Sequence, residues 1–348
     1  SDVCSSDLAV CLLPVIASRR SLHFDVGAKN TEIVTDISIA PGSMIKVYDI
    51  TIFRTSQRER RHIVAALFLF LLLDIVLFES DRKWYRHFIS VTGIALLITV
   101  PFMLGAVENG HDYVFHLMRI DGIAEELKCG HFPVRMQSLW MDGKGYPVSI
   151  MYGDALLYFP AILRLVGFGL TSSYLTFVFF INLLTVFIAY YSFNRIFRRE
   201  ALSLLLAFVY ASANYRLVDI FVRAAVGEYC ALSFLPLVAA ALYGIYTDDQ
   251  SDWKAYRKNA FILALGMSGI IESHILSSEM TTFVIIIVML MLIKRTLRLK
   301  TIRVFLLAVV ETLVLNIGFI IPFLDYYLNV PMRVNQGAGY RLIGKNSL

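Results

Sequence analysis

The stretch Phe88-Ile-Ser-Val-Thr-Gly-Ile-Ala-Leu-Leu-Ile-Thr-Val-Pro-Phe-Met-Leu-Gly-Ala106, followed almost at once by Glu108-Asn-Gly-His-Asp-Tyr-Val-Phe-His-Leu-Met-Arg119, decides how this chain is read. The first part carries no charge and approaches the roughly 20 apolar residues that a helix needs to cross a bilayer. Acids, imidazoles and an arginine set directly against such a span mark a candidate site. On an α-helix Asp112, His116 and Arg119 fall at i, i+4 and i+7, so the spacing predicts that a base, a titratable ring and a fixed cation project from one face. Tyr113, Leu117, Ile120, Ala124 and Leu127 form an apolar stripe, and Asp121, Glu125 and Lys128 a solvated one. That is the pattern of a helix lying on a membrane surface.

Composition agrees with a membrane setting. Of 348 residues, 57% are hydrophobic and only 17% charged, and the mean hydropathy is +0.66; soluble domains carry about 25% charged residues. The formal charge of +5 is small, and Lys and Arg cluster between apolar runs, which reads as topology and excludes a nucleic-acid footprint. Cys4, Cys11, Cys129 and Cys230 show no Cys-x-x-Cys spacing, so neither a zinc knot nor a disulfide framework is suggested.

Residues 1–8 resemble the translation of a sequencing adapter and are set aside. Residues 9–56 have short β-branched runs broken by Gly27, Asn30 and Pro41-Gly42, which predicts a partial extracytoplasmic β domain. Residues 57–348 read as a helical transmembrane domain, cut short at its C-terminal end. The expected fold is therefore an all-α polytopic membrane protein with a small truncated β region. Eight spans are expected, at about 62–79, 88–106, 172–194, 201–215, 229–246, 259–276, 280–293 and 304–324. Pro160 and Arg164 in the middle of 154–170 predict an interfacial helix there. With that helix flat, the basic loops 81–87, 195–200, 247–259 and 294–303 all fall on the cytoplasmic side, the run at 54–61 being the exception. The 108–152 loop is then extracytoplasmic.

Each polar group also has a structural reading. Asn109 can cap a helix with Asp112 as its N3 acid, and His116 alone can be a packed ring. Together, an acid and a histidine beside a span can activate a hydroxyl or hold a divalent cation, the candidate cofactor; Glu108 can share the work. Further along, Arg135 and Tyr146 lie among Trp140, Asp142, Lys144 and several Gly and Pro residues, which suits stacking on a sugar and binding an anion, or an interfacial aromatic belt. Arg216, Asp219 and Arg223 fall at i, i+3 and i+7, with Glu228 close behind, so two guanidiniums on one face can grip a phosphate; alternatively the arginines pair with Asp219 and touch lipid headgroups. Glu272 and His274 sit at the outer end of a span, where ionisable residues usually face a cavity or a partner.

The strings H-D-x-x-x-H-x-x-R-I (from His111), G-x-F-P-x-R (from Gly130), G-x-G-Y-P (from Gly143), Y-G-D-A-L-L-Y-F-P (from Tyr152), Y-R-L-x-D-x-x-x-R-x-A-x-x-E (from Tyr215) and S-H-I-L-S (from Ser273) look like the bacterial membrane family labelled 6-pyruvoyl-tetrahydropterin synthase-related. More distantly, residues 88–325 resemble the multi-spanning GT-C glycosyltransferases. The pterin label implies a chemistry that nothing else in the chain suggests. The GT-C resemblance implies a bacterial cytoplasmic membrane location, a polyprenyl-phosphate-linked sugar as donor, inversion at the anomeric carbon and an acid in the first large external loop, a position matched by Asp112. The sequence thus predicts a glycosyltransferase acting on an extracytoplasmic glycan or lipid acceptor. Asp112 is the expected base or metal ligand, with His116 and His274 as further ligands, and Arg119, Arg135, Tyr146, Arg216, Arg223 and Glu228 bind substrate or phosphate. The alternative is a transporter or flippase of lipid-linked sugars, or a non-catalytic envelope-assembly protein.

Overall fold

A computed structural model describes residues 11–13, 21–22, 35–36, 45–47, 83–103 and 110–330. Glu108, Asn109, the 62–79 span and the basic run at 54–61 lie outside the described residues. The chain divides into two compact units, Ser1–Arg54 and Thr55–Leu348. In the first, β1 (Cys11–Leu13) pairs antiparallel with β4 (Ile45–Val47), and β2 (Ser21–Leu22) with β3 (Thr35–Asp36).

The second unit is helical. A row of packed helices forms its body: α1 (Lys83–Met103) lies on α5 (Leu170–Phe197), α5 on α8 (Val226–Thr247), α8 on α10 (Lys258–Ile271) and α10 on α13 (Leu299–Leu315). α6 (Glu200–Ala211) packs beside α5, and the short helices α9 (Trp253–Tyr256) and α12 (Ile293–Thr296) precede α10 and α13. Small residues set these distances. Ala95, Ala189, Ala207 and Ala211 meet where α1, α5 and α6 touch. A Cβ on Gly266 would stand 2.9 Å from Val238, and one on Gly269 2.4 Å from the Phe234 ring. Close backbone approach through small residues is how helices associate where burial from water supplies no drive.

Polar breaks interrupt the apolar runs, and this changes the expected spans. Two described helices, α5 and α8, are long and apolar enough to cross a membrane; the number rises to four if each of two bent pairs is one crossing. One pair is α6 with the segment formed by α7 (Asn214–Val218) and a π-helix (Asp219–Arg223), bent by 46°. The other is α13 with α14 (Ile317–Asn329), bent by 77° at buried Asn316, whose amide donates to Ser268 Oγ of α10 at 2.7 Å. The expected span at 259–276 ends instead at Ile271, and Glu272, Ser273 and His274 form a turn before α11 (Ile275–Met291). In the expected flat segment only α4 (Tyr158–Leu165) is helical. Its eight residues rise about 12 Å, far less than a hydrocarbon core. Arg164 Nε and Nη2 bind Asp121 Oδ1 at 3.0 and 2.8 Å and tie α4 to α2 (Tyr113–Lys128).

The two ends of the helical body differ in chemistry. At one, Arg195 closing α5 donates to Asp248 Oδ2 and Asn259 Oδ1, and Lys300 on α13 donates to the Gln250 carbonyl. At the other, the start of α8 meets the Glu272–His274 turn and the loop that follows α3 (Val148–Met151). α11 and α13 present apolar outer faces, Met280, Phe283, Leu290, Val309 and Leu313 being exposed.

Candidate functional site

α2 carries the largest correction. The helix begins at Tyr113, so Asp112 is its N-cap and not an N3 acid, and its carboxylate makes no capping hydrogen bond. His116 and Arg119 do share a face, but it is the inner one, with Tyr113, Leu117 and Ile120; Asp112 alone is exposed. A guanidinium that is 0% exposed needs acceptors, and the chain supplies them from the segment after α3. Arg119 Nη2 is bonded to Asp154 Oδ1 and donates to the Gly153 carbonyl at 2.8 Å. The guanidinium also lies over the Tyr152 ring, 4.2 Å from its centroid, in cation–π geometry.

His116 is drawn into the same knot. Its Nδ1 faces Arg119 Nη1 at 3.4 Å; a guanidinium can only donate, so Nδ1 carries the lone pair and Nε2 the proton. Burial first, and then the Arg119 charge, hold this imidazole well below the usual histidine range. It is a neutral, packed ring rather than an acid–base partner exposed beside Asp112. These residues do not fit a divalent ion either. A cation at His116 would meet the Arg119 charge. Among the described residues no three His, Cys, Asp or Glu side chains form a group able to hold a metal, so the expected ligand set Asp112, His116 and His274 is not assembled.

Asp112 is tied to one distant segment directly, and Tyr152 brings a second near it. Its amide donates to the Arg223 carbonyl at 2.8 Å, and the His111 amide to the Val222 carbonyl at 3.3 Å, pinning the start of α2 to the π-helix. Tyr152 stands between two histidines, its ring centroid 6.2 Å from both His116 and His274. The charges of Asp112 and Glu228 act on Tyr152, and those of Glu228 and Arg223 on His274. His274 Nδ1 lies 2.7 Å from Ser277 Oγ.

The arginine clamp does not form as the spacing suggested. Arg216 is 2% exposed and turned into the bundle, donating to Asn182 Oδ1 and Thr185 Oγ1 at 2.8 Å each and to the Ala211 carbonyl at 3.0 Å. Arg223 points outward and bridges Asp219 and Glu228, 2.6 Å each; Glu228 also accepts from the Tyr215 hydroxyl. The π-helix between them explains the mismatch, because its wider turn removes the register by which i and i+7 share an α-helical face. Glu228 thus serves as an ion-pair partner beside the site.

The loop between α2 and α3 is ordered and non-helical, as its glycines and prolines predict. Gln137 and Tyr146 exchange backbone hydrogen bonds at 3.0 Å around a turn with positive φ at Met141, Asp142, Gly143 and Gly145. Tyr146 packs on Trp140, and Trp140 on Phe115, both at 5.5 Å, so an aromatic file leads from the exposed loop toward Tyr152. Arg135 donates to the Gly318 carbonyl at 2.7 Å. The loop is anchored by Glu126, which sequence reasoning left out; it accepts from the Ser138 amide at 2.8 Å and pairs with His131 Nδ1 at 2.7 Å. Burial pushes the Glu126 carboxyl up, but these Ser138 and His131 bonds outweigh it and hold the group below its ordinary 4.5. A depressed carboxylate contributes stability that is present above its unfolded pKa and is lost as pH falls through the folded one. Between pH 6 and 3.5 the thermal midpoint of the solubilised protein is therefore expected to fall further for the native chain than for Glu126→Gln; equal falls would contradict it.

Asp154 and Tyr152 were also missed as site residues. The signal lay in the Tyr152-Gly153-Asp154 triplet, because a buried arginine requires an acid and the triplet offers one beside a residue small enough for close contact. No family model, no curated protein and no solved structure matches this chain.

Proposed function

We propose that this chain is a multi-pass protein of the bacterial cytoplasmic membrane, with the 108–152 loop extracytoplasmic, and that it is a GT-C-like glycosyltransferase. It moves a sugar from a polyprenyl-phosphate donor to an extracytoplasmic glycan or lipid acceptor. The observation that carries this reading is that exposed Asp112 is pinned by backbone hydrogen bonds from residues 111–112 to 222–223, with Tyr152 and His274 in ring contact nearby, at the end of the bundle opposite the basic loops. The basic end suits the cytoplasmic face.

In this reading Asp112 accepts the proton of an acceptor hydroxyl as its oxygen bonds to the anomeric carbon and the bond from that carbon to the lipid phosphate oxygen breaks. Asp112 is suited to the role because its carboxylate is uncapped and its backbone is fixed. His116 and Arg119 act behind it, holding Tyr152. Arg223 is the partly exposed cation at this corner. The motif resemblance quoted above supports the donor class. Asp112→Asn is expected to cut transfer of labelled sugar from a lipid-linked donor in membranes by about a hundredfold, and full retained transfer would refute the assignment. A flippase would draw on the Arg216, Asn182 and Thr185 network buried inside the bundle. Product analysis separates the two, since translocation leaves the sugar–phosphate bond intact.

A further inference from the structure

On the other side of the contact between Gly153 and Glu272 lies a cavity of about 210 Å³ to which the proposed reaction assigns no role. Its lining includes Arg135, Ser149, Asp154, Tyr158, Glu272 and Phe319. Asp154 is 6% exposed; one oxygen is held by Arg119, while Oδ2 is buried without a hydrogen-bond partner among the described residues. Glu272 stands close enough for the Asp154 charge to act on it, and its carboxylate makes no side-chain hydrogen bond among the described residues. The Tyr158 oxygen accepts from the Val134 amide at 2.9 Å, and its O–H remains able to donate. Arg135 spends one nitrogen on the Gly318 carbonyl and keeps other N–H groups.

The charges decide what such a cavity can take. Asp154 is already neutralised by Arg119, and Glu272 shares the cavity with Arg135, so neither an ammonium nor a phosphate finds a net opposite charge. What remains is a mixed set of acceptors and donors around the flat apolar surfaces of Tyr158 and Phe319. That combination matches a neutral polyhydroxylated ring, whose hydroxyls both donate and accept and whose C–H face packs on aromatic carbons. The volume is below the roughly 300–1,000 Å³ of drug-sized sites, which limits the occupant to one ring.

We infer that the cavity between the Tyr152–Asp154 segment, the Glu272 turn and the start of α14 is a binding site for a single hexose-type sugar unit. This deepens the transferase reading, on which it rests only in assigning that unit to the donor or the acceptor. The test uses the detergent-solubilised full chain and saturation-transfer NMR with methyl glucoside, methyl mannoside, methyl galactoside and N-acetylglucosamine. At least one of these is expected to receive saturation. Ala155→Trp, which fills the cavity from its lining, is expected to abolish the signal, and Glu272→Leu to weaken the affinity about fivefold, near the value of one hydrogen bond. Because Ala155→Trp is capable of unfolding the chain, its midpoint is checked, and Glu272→Leu, which buries no new polar atom, gives an independent measurement. Asp112→Asn is expected to bind the sugars as the native chain does while losing transfer, so full transfer by this variant together with retained binding counts against the transferase chemistry alone. Absence of signal from all four sugars, an unchanged signal in folded Ala155→Trp, or binding of methylammonium in their place would overturn the inference.

Discussion

Arg119→Met is expected to destabilise the solubilised protein by about 3–5 kcal/mol, among the largest effects of any single substitution in the helical unit. The size follows from what is left behind. Asp154 is 6% exposed and has one oxygen already unpartnered, so removing the guanidinium strips the other and leaves a buried carboxylate with neither cation nor donor. The Gly153 carbonyl loses its hydrogen bond, and the Tyr152 ring loses the cation beneath it. A buried pair need not be worth much against a hydrophobic replacement, but a broken one is expensive. Arg119→Met combined with Asp154→Leu is therefore expected to recover most of the loss. Arg119→Lys should recover little, since a point charge cannot serve a carboxylate, a carbonyl and an aromatic face together. Unfolding in mixed detergent micelles measures all three. A loss under about 1 kcal/mol for Arg119→Met, or no recovery in the double variant, would show that the pair does not anchor this loop.

The same knot shows what the sequence disclosed and what it hid. Helical periodicity placed α1, α5 and α8 because long uncharged runs allow few other structures, and Gly and Pro spacing marked 131–147 as loop. Periodicity also put His116 and Arg119 on one face. It did not tell which face was buried, because a charged residue reads as solvent-facing unless its partner is known, and Asp154 lies 35 positions away. The i, i+7 reading of Arg216 and Arg223 failed for a different reason: it assumed a continuous α-helix, and a π turn leaves no mark in the residue pattern. The spans were overcounted where single polar residues such as Asn316 break an apolar run, since hydropathy averages over a break that geometry does not.

Gly153→Ala is expected to cost about 3 kcal/mol, at the upper end of what added core volume usually does, and to disturb the Asp112 site and the sugar-sized cavity together. A Cβ there would lie 2.1 Å from the Glu272 carbonyl oxygen, 2.4 Å from its carbon and 2.6 Å from its Cα. All three atoms are backbone, so no rotamer change relieves the overlap, and either the 152–154 segment or the Glu272–His274 turn must move. Moving the first withdraws Asp154 from Arg119; moving the second withdraws His274 from Tyr152. Gly227→Ala provides a graded comparison, because its Cβ would meet the Tyr152 hydroxyl at 2.0 Å as well as the Ser273 carbonyl oxygen at 2.6 Å. Gly93→Ala in α1 meets nothing within 4 Å and should stabilise by about 0.5–1 kcal/mol, as a helical glycine replaced by alanine does. If Gly153→Ala unfolds at the same denaturant concentration as the native chain, the close seam between these two segments is absent, and with it the structural reason for assigning Asp112, His274 and the cavity to one functional end of the molecule.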